Sequence, residues 1–135
     1  MQRVGRYQLV RKLASRGLAE VYLAEAEGPG RPEKSLVLKR ILAPFAEQEA
    51  FSAEARIAAQ LGHPNLAQVL DFGEAEGSYY VAMEHVDGLS LRQLIRWSML
   101  EEQPLPHTLV ARILSLSCEG LAYAHEFADP DPGQE

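Results

Sequence analysis

Between Pro44 and Leu61, the placement of Glu54, Ile57, Ala58 and Leu61 at i, i+3, i+4 and i+7 predicts a helix with a carboxylate on its apolar face. Burying an unpaired carboxylate costs on the order of several kcal/mol, so Glu54 must either reach outward to water or meet a cation. The nearest candidate is Lys39, set among Leu36, Val37, Leu38 and Ile41 in a segment apolar and β-branched enough to form a largely buried strand. A strand and a helix joined through Lys39 and Glu54 are therefore expected near the middle of the fold.

The surrounding pattern supplies more strands before the helix and after it. Tyr7 to Ala14 and Ala19 to Ala24 read as strands flanking Ser15-Arg16-Gly17-Leu18, which turns the chain back as a hairpin. Residues 28–34, GPGRPEK, form a loop before the lysine strand, and Pro44 suits a first helical turn that Gly62 and Pro64 later end. Two further strands, Ala67 to Asp71 and Ser78 to Met83, are joined through the turn-forming Gly73 to Gly77 region. A link from Glu84 to Gly88 leads to a helix from Ser90 to Glu101 with Leu91, Leu94 and Ile95 on one side. After a break at Gln103 to Pro106, a long helix runs to Phe127 with Val110, Ile113, Leu114 and Leu121 as its stripe, and the tail ADPDPGQE is polar and frayed.

Composition narrows the function classes. With 47% apolar and 24% charged residues in 135, the chain is globular rather than disordered. A formal charge of −6 argues against a nucleic-acid binder, which needs a basic face, and the stretch Arg3, Arg6, Arg11, Lys12 and Arg16 reads as a solvated strand face. The single cysteine, Cys118, excludes an internal disulfide, and its apolar neighbours Ile113, Leu114, Leu116 and Leu121 suggest a buried thiol. No apolar run approaches the ~18 residues of a membrane span, and the start MQRVGRYQLV lacks a signal peptide's apolar stretch, so a cytoplasmic location is expected.

The order of hairpin, strand with lysine, helix with glutamate, two strands, link and two helices resembles the small lobe of a bacterial-type serine/threonine protein kinase followed by the start of its large lobe. Its markers are Tyr7 in GRYQLVRKLA, the strand Glu20 to Ala24, Lys39 in LVLKR, Glu54 in FSAEARIAAQL, His63-Pro64-Asn65, and Met83 to Gly88. The resemblance implies an α+β fold, a five-stranded antiparallel sheet with one helix against it, then two large-lobe helices. Its divisions would be a small lobe over 1–84, a hinge over 85–89 and the beginning of a large lobe over 90–135. It further implies that Lys39 holds the α- and β-phosphates of ATP and is itself held by Glu54. Main-chain groups of Glu84 and Val86 would meet the adenine edge, with Met83 behind and Leu13, Val21 and Val37 as the apolar roof.

Four departures shape what is expected. At the positions of the phosphate-covering G-x-G-x-x-G loop the chain has Ala14, Arg16 and Ala19, with Ser15 between the first two, and keeps only Gly17, between the second and third. The small residue usual two places before the lysine is Val37. Asp71-Phe72-Gly73 spells the metal-binding tripeptide of kinases but precedes the link, so no Mg2+ is assigned to it, and the sequence ends nine residues after Glu126, before any catalytic loop. No catalytic or metal residue is therefore expected in these residues, and Mg2+ belongs to a complete kinase. His125 reads as a helix-end packing residue. The expected function is the ATP-binding part of a serine/threonine kinase, inactive alone. The alternative is a degenerate kinase-like module that binds a partner protein, with weak or no ATP binding. Self-association is expected through Leu91, Leu94, Trp97, Val110, Ile113, Leu114 and Leu121.

Overall fold

The computed structural model describes residues 2–26, 35–42 and 45–127. Among these residues, six antiparallel strands and three helices follow in the order β1 (Arg3–Val4), β2 (Tyr7–Arg16), β3 (Ala19–Ala26), β4 (Ser35–Ile41), α1 (Phe45–Ala58), β5 (Val69–Ala75), β6 (Ser78–Glu84), α2 (Leu91–Leu100) and α3 (His107–Glu126). The strands form one sheet in the order β1-β2-β3-β4-β6-β5. The α+β architecture is the expected one, with one strand more than the sequence pattern indicates: β1 is two residues long, too short to show alternation. The expected loop over 28–34, the helix-starting Pro44 and the tail ADPDPGQE lie outside the described residues.

One face of the sheet is buried within the sheet's own curl. Val4, Tyr7, Leu9, Tyr22, Ala24, Leu36, Leu38 and Ala82 form its core, with Leu38, Ala24 and Ala82 fully out of water. Full burial of a leucine stabilises by about 1.5–3 kcal/mol, so this layer dominates the fold's favourable energy. The curl brings β2 against β5, at the other end of the strand order. Tyr7 donates its hydroxyl hydrogen to Asp71 Oδ2 at 2.6 Å, Arg6 reaches the same oxygen at 3.3 Å, and the Tyr80 ring meets Tyr7 edge-on at 5.7 Å. Burial, followed by the bond to Asp71, pushes the Tyr7 hydroxyl up to about 12.

The turns explain two differences from the expected boundaries. Strand pairing in the first hairpin continues to Arg16 and Ala19, leaving only Gly17 and Leu18 as the loop, with φ +59° at Gly17. A positive φ at the first central residue alone is the arrangement of a two-residue type II′ turn, which glycine adopts without penalty. In the second hairpin the turn is Glu76-Gly77, and Gly73 lies inside β5 rather than at its end. A Cβ at Gly73 would stand 3.1 Å from the Tyr80 hydroxyl, so the tyrosine occupies the space that a side chain would need. This glycine serves close packing, not a turn.

The last two helices depend on local caps and one docking point. Ser90 caps α2 reciprocally: its Oγ accepts from the Gln93 N–H at 3.1 Å and its N–H donates to Gln93 Oε1 at 2.8 Å. The segment His63-Pro64-Asn65 holds α3, with Asn65 Nδ2 donating to the Leu116 carbonyl at 2.8 Å and the Gly62 N–H donating to the Tyr123 hydroxyl at 3.1 Å. Gly120 is buried against Asn65, where a Cβ would stand 3.2 Å from the Asn65 carbonyl oxygen. The packing expected of His125 falls to Tyr123, whose ring lies 5.2 Å from His63, while His125 itself is exposed. Cys118 is likewise exposed, not buried.

Candidate functional site

The second face of the sheet carries the residues expected to meet a nucleotide. Direct cross-strand partners share a face, so the pairs Val21↔Lys39 and Lys39↔Val81 form one row. Leu23↔Val37 and Val37↔Met83 form the next. Val21, Val37 and Met83 are half-buried, and Lys39 is exposed. Leu13 falls in the irregularity between the pairs Lys12↔Tyr22 and Ala14↔Val21, and is 40% exposed. The rows run toward Glu84, the last residue of β6, and the link that holds Val86, itself exposed. An apolar sheet face bordered by a main-chain edge and a lysine fits a flat heterocycle with an anionic tail.

Alternation along β4 decides which of two adjacent cations serves this face. Arg40 points to the opposite side, where it lies 3.6 Å from Glu20 and stacks over the Tyr22 ring at 5.4 Å. Glu20 also accepts from the Tyr22 hydroxyl and pairs with Lys12 at 3.4 Å. The Tyr22 bond, together with the two cations, holds the Glu20 carboxyl below the usual carboxylate range. This network ties the β2–β3 hairpin, and so Ala14, Ser15, Arg16, Gly17 and Ala19, to β4. Ser15, Arg16 and Gly17 are exposed, and among the described residues no neighbouring atom lies within 4 Å of where a Gly17 Cβ would stand.

Lys39 and Glu54 are not brought together. The face of α1 that meets the sheet is built on Ala55, with Phe51, Ala58 and Ala59 packed against Val69, Val81, Phe72 and Met83. Glu54 is exposed, and Lys39 Nζ instead sits 5.9 Å from the centroid of the Phe51 ring. The expected pairing is therefore corrected for this conformation. Phe51, Ala55, Ala58 and Ala59 form a second apolar spacing, i, i+4, i+7 and i+8, that overlaps the one containing Glu54. The register led by an aromatic ring covers more apolar area and takes the sheet, turning the carboxylate to water, the cheaper of the two outcomes that its chemistry allowed. Sequence reasoning missed Phe51, although its i+4 relation to Ala55 was visible.

Asp71 is engaged by Tyr7 and Arg6 at the sheet's seam, as a structural group. Among the described residues no group of three or more His, Cys, Asp or Glu side chains is placed to hold a metal ion. A separate open groove of about 260 Å³ lies between α1 and the β5–β6 hairpin, lined by Glu49, Ser52, Ala53, Arg56, Phe72 and Tyr79. None of these is an expected nucleotide residue, and the chemistry of the Lys39 face makes that face, not the groove, the candidate site.

The description "protein tyrosine and serine/threonine kinase" belongs to a family model that matches residues 7–128, nearly the whole chain. The chain belongs to this protein kinase family. It is similar to the tyrosine-protein kinase MasK of Myxococcus xanthus, 39% identical over 133 residues, with 96% of the chain and 21% of MasK covered. It is also similar to the serine/threonine-protein kinase PknF of Mycobacterium tuberculosis, 36% identical over 121 residues, with 89% of the chain and 25% of PknF covered. The chain thus spans a quarter or less of these curated relatives. Among solved structures, the crystal structure of the Mycobacterium tuberculosis PknI kinase domain superposes with a TM-score of 0.71 at 32% identity, covering 93% of the chain and 50% of that domain. The kinase fold accounts for the lysine strand, the helix beside it, the link after β6 and the two helices beyond as parts of one framework.

Proposed function

We propose that this chain is the ATP-binding part of a bacterial-type kinase that transfers the γ-phosphoryl group of ATP to serine or threonine hydroxyls of protein substrates. The observation that carries the reading is the single sheet face on which Val21, Val37, Lys39 and Met83 stand beside the β6 terminus. Residues 1–84 serve as the small lobe, 85–89 as the hinge and 90–135 as the beginning of the large lobe. Adenine lies against Val21, Val37 and Leu13, edge-on to the main chain of Glu84 and Val86, with Met83 behind it. Lys39 neutralises phosphate charge, and Glu54 supports it once α1 turns Phe51 away from the lysine. With Ala14, Arg16 and Ala19 at the glycine positions, the hairpin tip contributes the Arg16 cation and the main chain around Gly17 in place of a three-glycine cradle. Bound ATP supplies the transferable phosphoryl group, and Mg2+ would neutralise its charge in the complete enzyme. No helix among the described residues is long and apolar enough to cross a membrane. The lone unpaired cysteine suits the reducing cytoplasm where we place the domain.

Transfer of labelled phosphate from γ-labelled ATP by the whole protein that contains this chain tests the reading. Lys39→Ala is expected to abolish it, and acid hydrolysis of the labelled product is expected to yield phosphoserine and phosphothreonine. Phosphotyrosine as the main product would overturn the residue specificity, and transfer unaffected by Lys39→Ala would overturn the site.

A further inference from the structure

The adenine subsite proposed above relies on the Glu84 carbonyl, and the surrounding bonds give the side chain of the same residue a task. Gln68 and Glu84 stand one step beyond the pair Val69↔Met83, where the β5–β6 ladder ends. A hydrogen-bonded antiparallel pair exchanges two main-chain bonds, one N–H to C=O in each direction. One of them is made: the Glu84 N–H donates to the Gln68 carbonyl at 2.9 Å. The return bond goes elsewhere, because the Gln68 N–H donates to Glu84 Oε1 at 2.8 Å. The carboxylate thus replaces the carbonyl of its own residue as the acceptor, and an ionised acceptor makes the stronger bond. In an extended strand, N–H and C=O of one residue point to the same side. A carbonyl whose N–H serves β5 is therefore not directed at Leu36, the partner of Glu84 across β4.

We propose that Glu84 is a specificity-determining, positioning residue: by taking the Gln68 N–H, its carboxylate leaves the Glu84 carbonyl open to the exocyclic amine of a 6-aminopurine, and so sets a preference for adenine over 6-oxopurines. This inference rests on the reading that the link binds a nucleotide base. Without the carboxylate, the Gln68 N–H turns to the Glu84 carbonyl and completes the ladder pair, and the base amine loses its acceptor. A purine with an oxygen at position 6 has no donor to lose and is indifferent to the change.

Binding of ATP and of inosine triphosphate to the full chain, measured by calorimetric titration for wild type, Glu84→Ala and Glu84→Gln, tests this directly. Wild type is expected to bind ATP about tenfold more tightly than inosine triphosphate, the scale of one well-placed hydrogen bond. Glu84→Ala is expected to lower ATP affinity to the inosine triphosphate level while leaving the latter within about twofold. Glu84→Gln retains an acceptor oxygen and is expected to keep the discrimination. Glu84→Met, which keeps the stem and removes the acceptor, replaces the alanine variant if that one melts early. An acceptor-free variant that discriminates like wild type, or that loses both nucleotides equally, overturns the role of Glu84. Wild type that binds neither nucleotide overturns the nucleotide site itself, a separate result seen before any variant is compared.

Discussion

The two faces of this sheet are built to opposite ends. The face enclosed by the curl is apolar at its centre, fully buried at Leu38, Ala24 and Ala82, bordered by the Arg40–Glu20 pair, and closed at its seam by the Tyr7–Asp71 bond. On the face carrying Lys39, α1 buries Val81, while Val21, Val37 and Met83 are half-buried and Lys39 lies exposed, apart from the exposed Glu54 of α1. A protein can leave apolar side chains half-covered and charges unpaired only if another part of the molecule holds the strands in place. The closed face supplies that rigidity to the strands that carry Lys39. The larger core belongs to one side, and binding is proposed for the other.

Substitutions on the two faces should therefore separate in what they change. Leu38→Ala empties the centre of the closed core and is expected to cost about 2–5 kcal/mol in urea denaturation. Asp71→Ala leaves the buried Tyr7 hydroxyl without its acceptor and is expected to cost about 1–3 kcal/mol, with Arg6 adding little because it is largely exposed. The same seam predicts a pH response. The Tyr7 hydroxyl titrates higher in the folded chain than its usual 10, at about 12, so its contribution is complete below pH 10 and disappears as the pH rises toward 12. Thermal melts from pH 9 to 12 should show this decline, and Tyr7→Phe should flatten it. Beside the open face, Glu54→Gln on α1 is expected to change stability by less than about 0.5 kcal/mol, because the exposed carboxylate meets no partner among the described residues. A large loss from Glu54→Gln would mean that the carboxylate is paired with Lys39 in solution and would erase the contrast.

Much of the closed face was legible in the chain, and the reasons are physical. Strands β2, β3, β4 and β6 are dense in β-branched and apolar residues, and Ser90 with Gln93 spells the reciprocal cap of α2. The frame of β5 was not legible, because Gly73 reads as a turn residue until Tyr80 is seen to fill its side-chain space. The strand that carries Lys39 was legible from its apolar, β-branched run. The direction of Glu54 was not legible, because α1 carries two overlapping apolar registers and only packing against Val69 and Val81 chooses between them. The Glu84 carboxylate could not be foreseen at all, since its role depends on how two non-adjacent segments end their pairing.

The exposure of the final helices gives a smaller test of the same account. Leu91, Trp97, Leu114 and Leu121 are each about half exposed along α2 and α3. The isolated chain is accordingly expected to self-associate at micromolar concentrations, as read by light scattering.

The central claim, that the open face is a nucleotide site, is tested most directly by a thermal-shift titration of this chain with ATP, with and without Mg2+, in parallel with Lys39→Ala. The account predicts that wild type melts higher by about 5 °C or more once ATP exceeds its Kd a hundredfold, and that Lys39→Ala loses most of the rise. A well-folded chain whose melting temperature is unmoved by millimolar ATP would contradict it.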